Sequence, residues 1–151
     1  MGYMTVRLWR AARDGDVSKL KVLLLEPECN ALAKDYLGWT ALMHAARYGK
    51  ASCVSLLLPV SEPLICDWGG MTALMWAASS GHTSCVQLLL PVSDPLFTRQ
   101  DGRTASDLAS KGNHDQVAKM IDAYALAQKE KMALHSVIAA GALQKRSSRR
   151  V

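Results

Sequence analysis

Residues 38–58 and 70–90 carry one motif twice, 32 residues apart. The first copy holds Gly38, Thr40-Ala41-Leu42-Met43, Ala45-Ala46, Gly49, Cys53-Val54 and Leu56-Leu57-Leu58-Pro59. The second holds Gly70, Thr72-Ala73-Leu74-Met75, Ala77-Ala78, Gly81, Cys85-Val86 and Leu88-Leu89-Leu90-Pro91. A unit of this length is one supersecondary element that cannot bury its apolar face alone. Its copies must stack, so an all-α solenoid of helix-turn-helix units is expected. Such an array favours binding over a catalytic pocket.

Each copy reads as inner helix, turn, outer helix and loop. Thr40 and Thr72 are placed to cap the inner helices, since a hydroxyl accepts from an orphan first-turn amide. The paired alanines let neighbouring inner helices approach closely. Gly49 and Gly81 sit where a left-handed residue ends the inner helix. Pro59 and Pro91 stop the outer helix, because proline cannot extend the ladder. The stretches 35–38 and 67–70 read as tight turns. Degenerate copies flank the pair. Upstream are Leu8, Ala11-Ala12, Gly15, Leu20 and Val22-Leu23-Leu24; downstream are Gly102, Thr104-Ala105, Ala109, His114 and Met120-Ile121. Asn113 stands in the register of Gly81. The repeats are expected at about 4–34, 35–66, 67–98 and 99–128, forming one domain over 1–128.

The Asp-x-x-Gly-x-Thr-Ala-Leu turn at 35–42 and 67–74, the Ala-Ala-x-x-Gly segment and the Val-x-Leu-Leu-Leu outer helix resemble the ankyrin repeat family. The resemblance covers roughly 4–124. The usual Thr-Pro-Leu-His becomes Thr-Ala-Leu-Met here, and Pro-Val-Ser-(Glu/Asp)-Pro replaces the glycine-rich loop. These variants look like the ankyrin proteins of diplomonad protists, some of which carry a NIMA-related kinase domain. The sequence itself has no glycine-rich phosphate loop, no His-Arg-Asp and no Asp-Phe-Gly.

The resemblance implies a protein partner docked on the turn tips and the concave face of the inner helices. The corresponding variable positions are Tyr36, Leu37, Trp39, Arg47 and Tyr48 in the second copy. In the third they are Trp68, Gly69, Met71, Ser79 and Ser80, and in the fourth Gln100, Asp101, Arg103 and Lys111. Tryptophan, tyrosine and arginine are over-represented among binding hot spots. Packing is the commoner role for Trp76 and His44, at equivalent inner-helix positions, and Trp39 and Met71 could also fold down over the next turn.

The formal net charge of +5 gathers at the C-terminal end. Beyond residue 124 stand Lys129, Lys131, Lys145, Arg146, Arg149 and Arg150, against Glu130 alone. The repeat body shows no basic stripe of the kind nucleic acid demands. The four cysteines form no Cys-x-x-Cys and lie at no metal-ligand spacing from a histidine. They read as small core hydrophobes. No paired carboxylates, phosphate loop or activated serine is visible, so neither catalysis nor a cofactor or metal is expected. His82 and His114 read as turn braces. The longest apolar runs fall far short of a membrane span, and no signal peptide is visible. A cytoplasmic monomer is expected.

The C-terminal segment leaves alternatives open. No Gly or Pro occurs from Asp115 to Ala140, so one long helix or two shorter ones fit. Ala133-Leu134 and Gly141 keep the spacing of Ala41-Leu42 and Gly49. Residues 129–142 are therefore either a remnant inner helix that caps the stack or a free amphipathic segment that binds a partner. Residues 143–151 are expected to be a disordered basic tail, with Ser147 and Ser148 open to phosphorylation. The function expected is a non-catalytic scaffold or adaptor. The alternative is a targeting or regulatory remnant of a kinase-type ankyrin protein acting through its basic tail.

Overall fold

The computed structural model describes residues 2–147, and from Ala41 onward the helices start at intervals of 32 residues within each layer. The inner helices are α1 (Tyr3–Asp14), α3 (Ala41–Arg47), α5 (Ala73–Ser79) and α7 (Ala105–Lys111). The outer helices are α2 (Val17–Leu24), α4 (Ala51–Leu57), α6 (Thr83–Leu89) and the start of α8 (Asp115–Ser147). Inner helices pack in the order α1, α3, α5, α7, and outer helices in the order α2, α4, α6, α8. The array is an all-α solenoid two layers deep, with no named strand among the described residues.

Local chemistry sets the boundaries. Thr40, Thr72 and Thr104 each accept, through Oγ1, from the backbone N–H three residues on, at 3.4, 3.3 and 3.3 Å. Asp107 completes a reciprocal cap at Thr104 by accepting from its backbone N–H at 2.8 Å. After α4 and α6 the chain tightens into 3-10 turns, Leu58–Val60 and Leu90–Val92, each with proline in its first turn. Proline has no N–H to donate, so it fits the start of such a turn but ends the α-helix before it.

The core is a continuous seam of the repeated residues. Leu42, Met43, Leu57, Leu74, Met75, Leu89 and Ile121 are fully buried, with Ala45, Ala46, Ala77 and Ala78 between neighbouring inner helices. Cys53 and Cys85 lie in the same seam, free and fully buried. Burial pushes both thiols up, Cys85 to about 11, so they pack as apolar groups.

One inter-repeat lock is specific. Gly49 has φ +69, and a Cβ there would lie 2.6 Å from the imidazole of His82 in the next repeat. Gly81 faces the ring of His114 in the same way, and Lys50 crosses Gly15. His82 Nε2 reaches the carbonyl of Arg47 at 3.1 Å. The glycines supply positive φ and a vacant side-chain site together, and the following repeat fills it. Asn113 holds the left-handed conformation in the fourth copy, with φ 61.

The C-terminal segment differs from expectation. α8 crosses residues 128 and 129 without interruption, so no separate helix begins there, and 143–147 are helical where disorder was expected. Val117, Ala118, Ile121 and Ala125 are buried against the stack, whereas 129–145 are exposed throughout. The covering of the last repeat is therefore done by the first turns of α8. An inner-helix remnant at 133–141 would need a threonine cap and a turn, and the segment has neither. Its alanines, leucines and lysines are strong helix formers. Ser148 and the residues after it lie outside the described residues.

Candidate functional site

The turn tips of the two central repeats are each built on one buried aspartate. Asp35 Oδ1 accepts from the backbone N–H groups of Leu37 and Trp39, both at 2.9 Å. Asp67 Oδ1 accepts from Gly69 and Met71 at 2.8 and 2.9 Å. The second carboxylate oxygen of each reaches the inner helix, Asp35 to His44 Nε2 and Asp67 to Trp76 Nε1–H, both at 3.0 Å. Each tip is thus tied to its own helix by a single side chain, which holds the residues beyond the turn in fixed positions.

On this frame Tyr36 and Trp68 occupy the same repeat position and project outward, 80% and 66% exposed, with Leu37 beside them at 43%. The Trp68 ring lies over Gly38, and Lys34 Nζ sits 4.7 Å from its centroid. The Trp68 N–H donates to the Leu37 carbonyl at 3.3 Å, joining adjacent tips. The tips present an aromatic edge held by backbone hydrogen bonds.

Behind the tips runs an aromatic row on the inner helices. Trp39 packs on His44 at 5.1 Å and on Trp76 at 4.5 Å, and Trp9 stacks on His44 at 6.4 Å. Arg47 lies over Trp76, with Cζ 4.9 Å from the ring centroid, and donates to Ser80 Oγ at 2.9 Å. Tyr48, the last residue of the α3 turn, is half exposed. Trp39 is half-buried in this row, so one edge faces solvent and the other packs.

Burial lowers the His44 pKa below the usual range, although the Asp35 carboxylate beside it pulls the other way. The folded chain therefore resists protonation that the unfolded chain accepts. The contribution to stability is full above the ordinary value of 6.5 and is lost as the pH falls through the lowered one. Thermal melts at about pH 7 and about pH 5 should show a drop in midpoint that shrinks in His44→Gln. An unchanged drop in that variant would place the titrating group elsewhere.

The third and fourth repeats enclose a groove of about 350 Å³, lined by Met71, Trp76, Ser79, Arg99, Arg103, Leu108 and Lys111. Met71, expected as a surface contact, is buried at 6% exposure and forms part of the floor. It lies low because Arg99 closes over it, with Nη1 3.8 Å from the sulfur. Arg99 stands in the register of Asp35 and Asp67, and Leu108 in that of His44 and Trp76. The tie from tip to inner helix is thus replaced in both partners at once. Asp101 takes up part of the role, accepting from the Arg103 N–H at 3.3 Å and lying 3.7 Å from the Arg99 and Arg103 guanidinium groups.

The expected contact residues fall into three adjoining groups. Tyr36, Leu37 and Trp68 form the tip edge; Trp39 stands in the aromatic row with Arg47, Tyr48 and Ser80 beside it; Ser79 and Arg103 rim the groove above Met71. The aspartate ties and the reversal at Arg99 were missed, although the 32-residue spacing of Asp35, Asp67 and Arg99 was there to be read. Among the described residues no three His, Cys, Asp or Glu side chains gather as metal ligands, and no helix is long and apolar enough to cross a membrane.

The model of a family described as ankyrin repeats (3 copies) matches residues 8–97 and 60–130. The chain belongs to the ankyrin repeat family. No curated protein matches it, so the likeness to diplomonad kinase proteins rests on motif variants alone. Ankyrin repeats are in general protein–protein interaction modules.

Proposed function

We propose that this ankyrin chain is a non-catalytic adaptor that binds a protein partner across the tips and concave face of its central repeats. The observation that supports this reading most is the aromatic tip edge. Tyr36 and Trp68 spend large, stiff side chains in solvent while buried aspartates and a tip-to-tip hydrogen bond hold their backbone still. Exposed apolar area rimmed by polar groups marks interaction sites, and a rigid base lowers the ordering cost of binding. Arg47, Tyr48, Ser79, Ser80 and Arg103 extend the surface toward the groove, with the solvent edge of Trp39 between them. The chain acts as a monomer in the cytoplasm on this reading.

Trp68→Ala together with Tyr36→Ala should reduce capture of a bound protein by about 30-fold or more, the loss typical of hot-spot truncation. The comparison is quantitative affinity capture with wild-type and variant chains from the same lysate, alongside a thermal melt of each. Equal capture by the two chains would move the partner site away from the tips. A collapsed melt in the variant would make these side chains structural.

A further inference from the structure

α8 leaves the stack after Ala125 and carries a second, unrelated surface. From Leu126 to Ser147 it projects about 30 Å at 1.5 Å per residue. Met132, Leu134, Val137, Ile138 and Leu143 stand on this projection, each 59–70% exposed. At about 100° per residue, Met132 and Leu143 lie on one side and Leu134, Val137 and Ile138 on the opposite side. The two polar side chains between them fold back on the helix. Ser136 Oγ donates to the Met132 carbonyl at 3.1 Å, and His135 Nδ1 meets the Lys131 carbonyl at 2.9 Å. Apolar side chains on two opposite faces of one helix call for cover on both.

The charges beside it select what encloses it. Lys129 and Lys131 precede the apolar stretch and Lys145, Arg146, Arg149 and Arg150 follow it, with Glu130 the sole acid after residue 124. A second copy of the same helix would bring like charges together at both ends. An anionic bilayer would match the charge, but a flat interface covers one side of a helix and would leave the other apolar side in water. A groove that wraps the helix, apolar inside and acidic at its rim, satisfies both features. Helix-in-groove recognition of this type is what calmodulin-class proteins provide.

We propose that the projecting part of α8 is a docking helix for an acidic, helix-enclosing protein of the calmodulin class. The apolar side chains on both sides enter the groove, and Lys129, Lys131 and Lys145 at the two ends of the projection meet its acidic rim. The interaction is independent of the repeat tips. The probe is calcium-loaded calmodulin, titrated calorimetrically into the full chain at about 0.15 M salt. Binding at roughly micromolar affinity or tighter is expected, lost on chelating calcium, because the methionine-rich groove closes. Leu134→Glu with Leu143→Glu should weaken it by about 100-fold or more, with the melt of the stack unchanged because both positions are exposed. Trp68→Ala should leave it unchanged, which separates this site from the tip site. Absence of calmodulin binding, or binding indifferent to the double variant, would overturn the proposal. So would association with phosphatidylserine vesicles, or self-association through α8, in its place.

Discussion

Leu89→Ala is expected to lower the unfolding free energy by about 3–5 kcal/mol. Leu89 is fully buried in α6, which packs on α4 and on the first turns of α8. Removing its branched end forfeits both the transfer of apolar surface from water and the contacts lining the hole. A solenoid repeat touches only its neighbours, so no distant segment can move in to fill the space. Against a total stability of about 5–15 kcal/mol, the loss is large enough to see in any unfolding experiment. Urea titration should give a lower midpoint with the same slope. Leu96→Ala, at a half-exposed loop position, should stay within about 0.5 kcal/mol of wild type. A Leu89→Ala loss under about 1 kcal/mol would mean that the repeat interface relaxes around the cavity.

Asp67→Asn should cost more than Asp35→Asn, though the two aspartates occupy one repeat position. Asp67 Oδ2 accepts from the indole N–H of Trp76. An indole nitrogen only donates, so the amide nitrogen of asparagine would face a donor, or its oxygen would turn away from the Gly69 and Met71 amides. Asp35 faces His44 instead, and a neutral imidazole can offer a lone pair by changing tautomer. A cost of about 2–3 kcal/mol is expected at Asp67, and about half that at Asp35, on the scale of buried donors left unsatisfied. Denaturant unfolding of the two variants side by side decides it, with equal losses counting against the tie described here. Because Asp67 holds the turn that carries Trp68, its variant should also slacken the tip edge.

The stack was legible because the sequence repeats the residues that packing needs. Thr40 and Thr72 cap, Gly49 and Gly81 turn left-handed, and the leucine runs are buried as their spacing requires. The surface was harder to read because the differing residues do not announce their neighbours. Met71 was expected outside, but Arg99 from the next repeat covers it, a contact made across 28 residues. Asp35 and Asp67 were visible as turn residues, yet their reach into the inner helix depends on a side chain nine positions on. In the last helix, the faint echo of a repeat at 133–141 suggested a break that helix propensity overrides once no neighbouring repeat is there to receive one.

The seating of His82 on Gly49 and of His114 on Gly81 makes the array a keyed sequence of parts. The 67–98 unit carries both an empty socket, Gly81, and the ring that enters the socket before it, His82, so a second copy of that unit inserted between residues 66 and 67 arrives with matching ends. At Asn113 the left-handed turn persists but a side chain occupies the place where the socket would be. A unit inserted after that point would find no seat. The fourth copy thus lacks the kind of seat that Gly49 and Gly81 give the repeats after them.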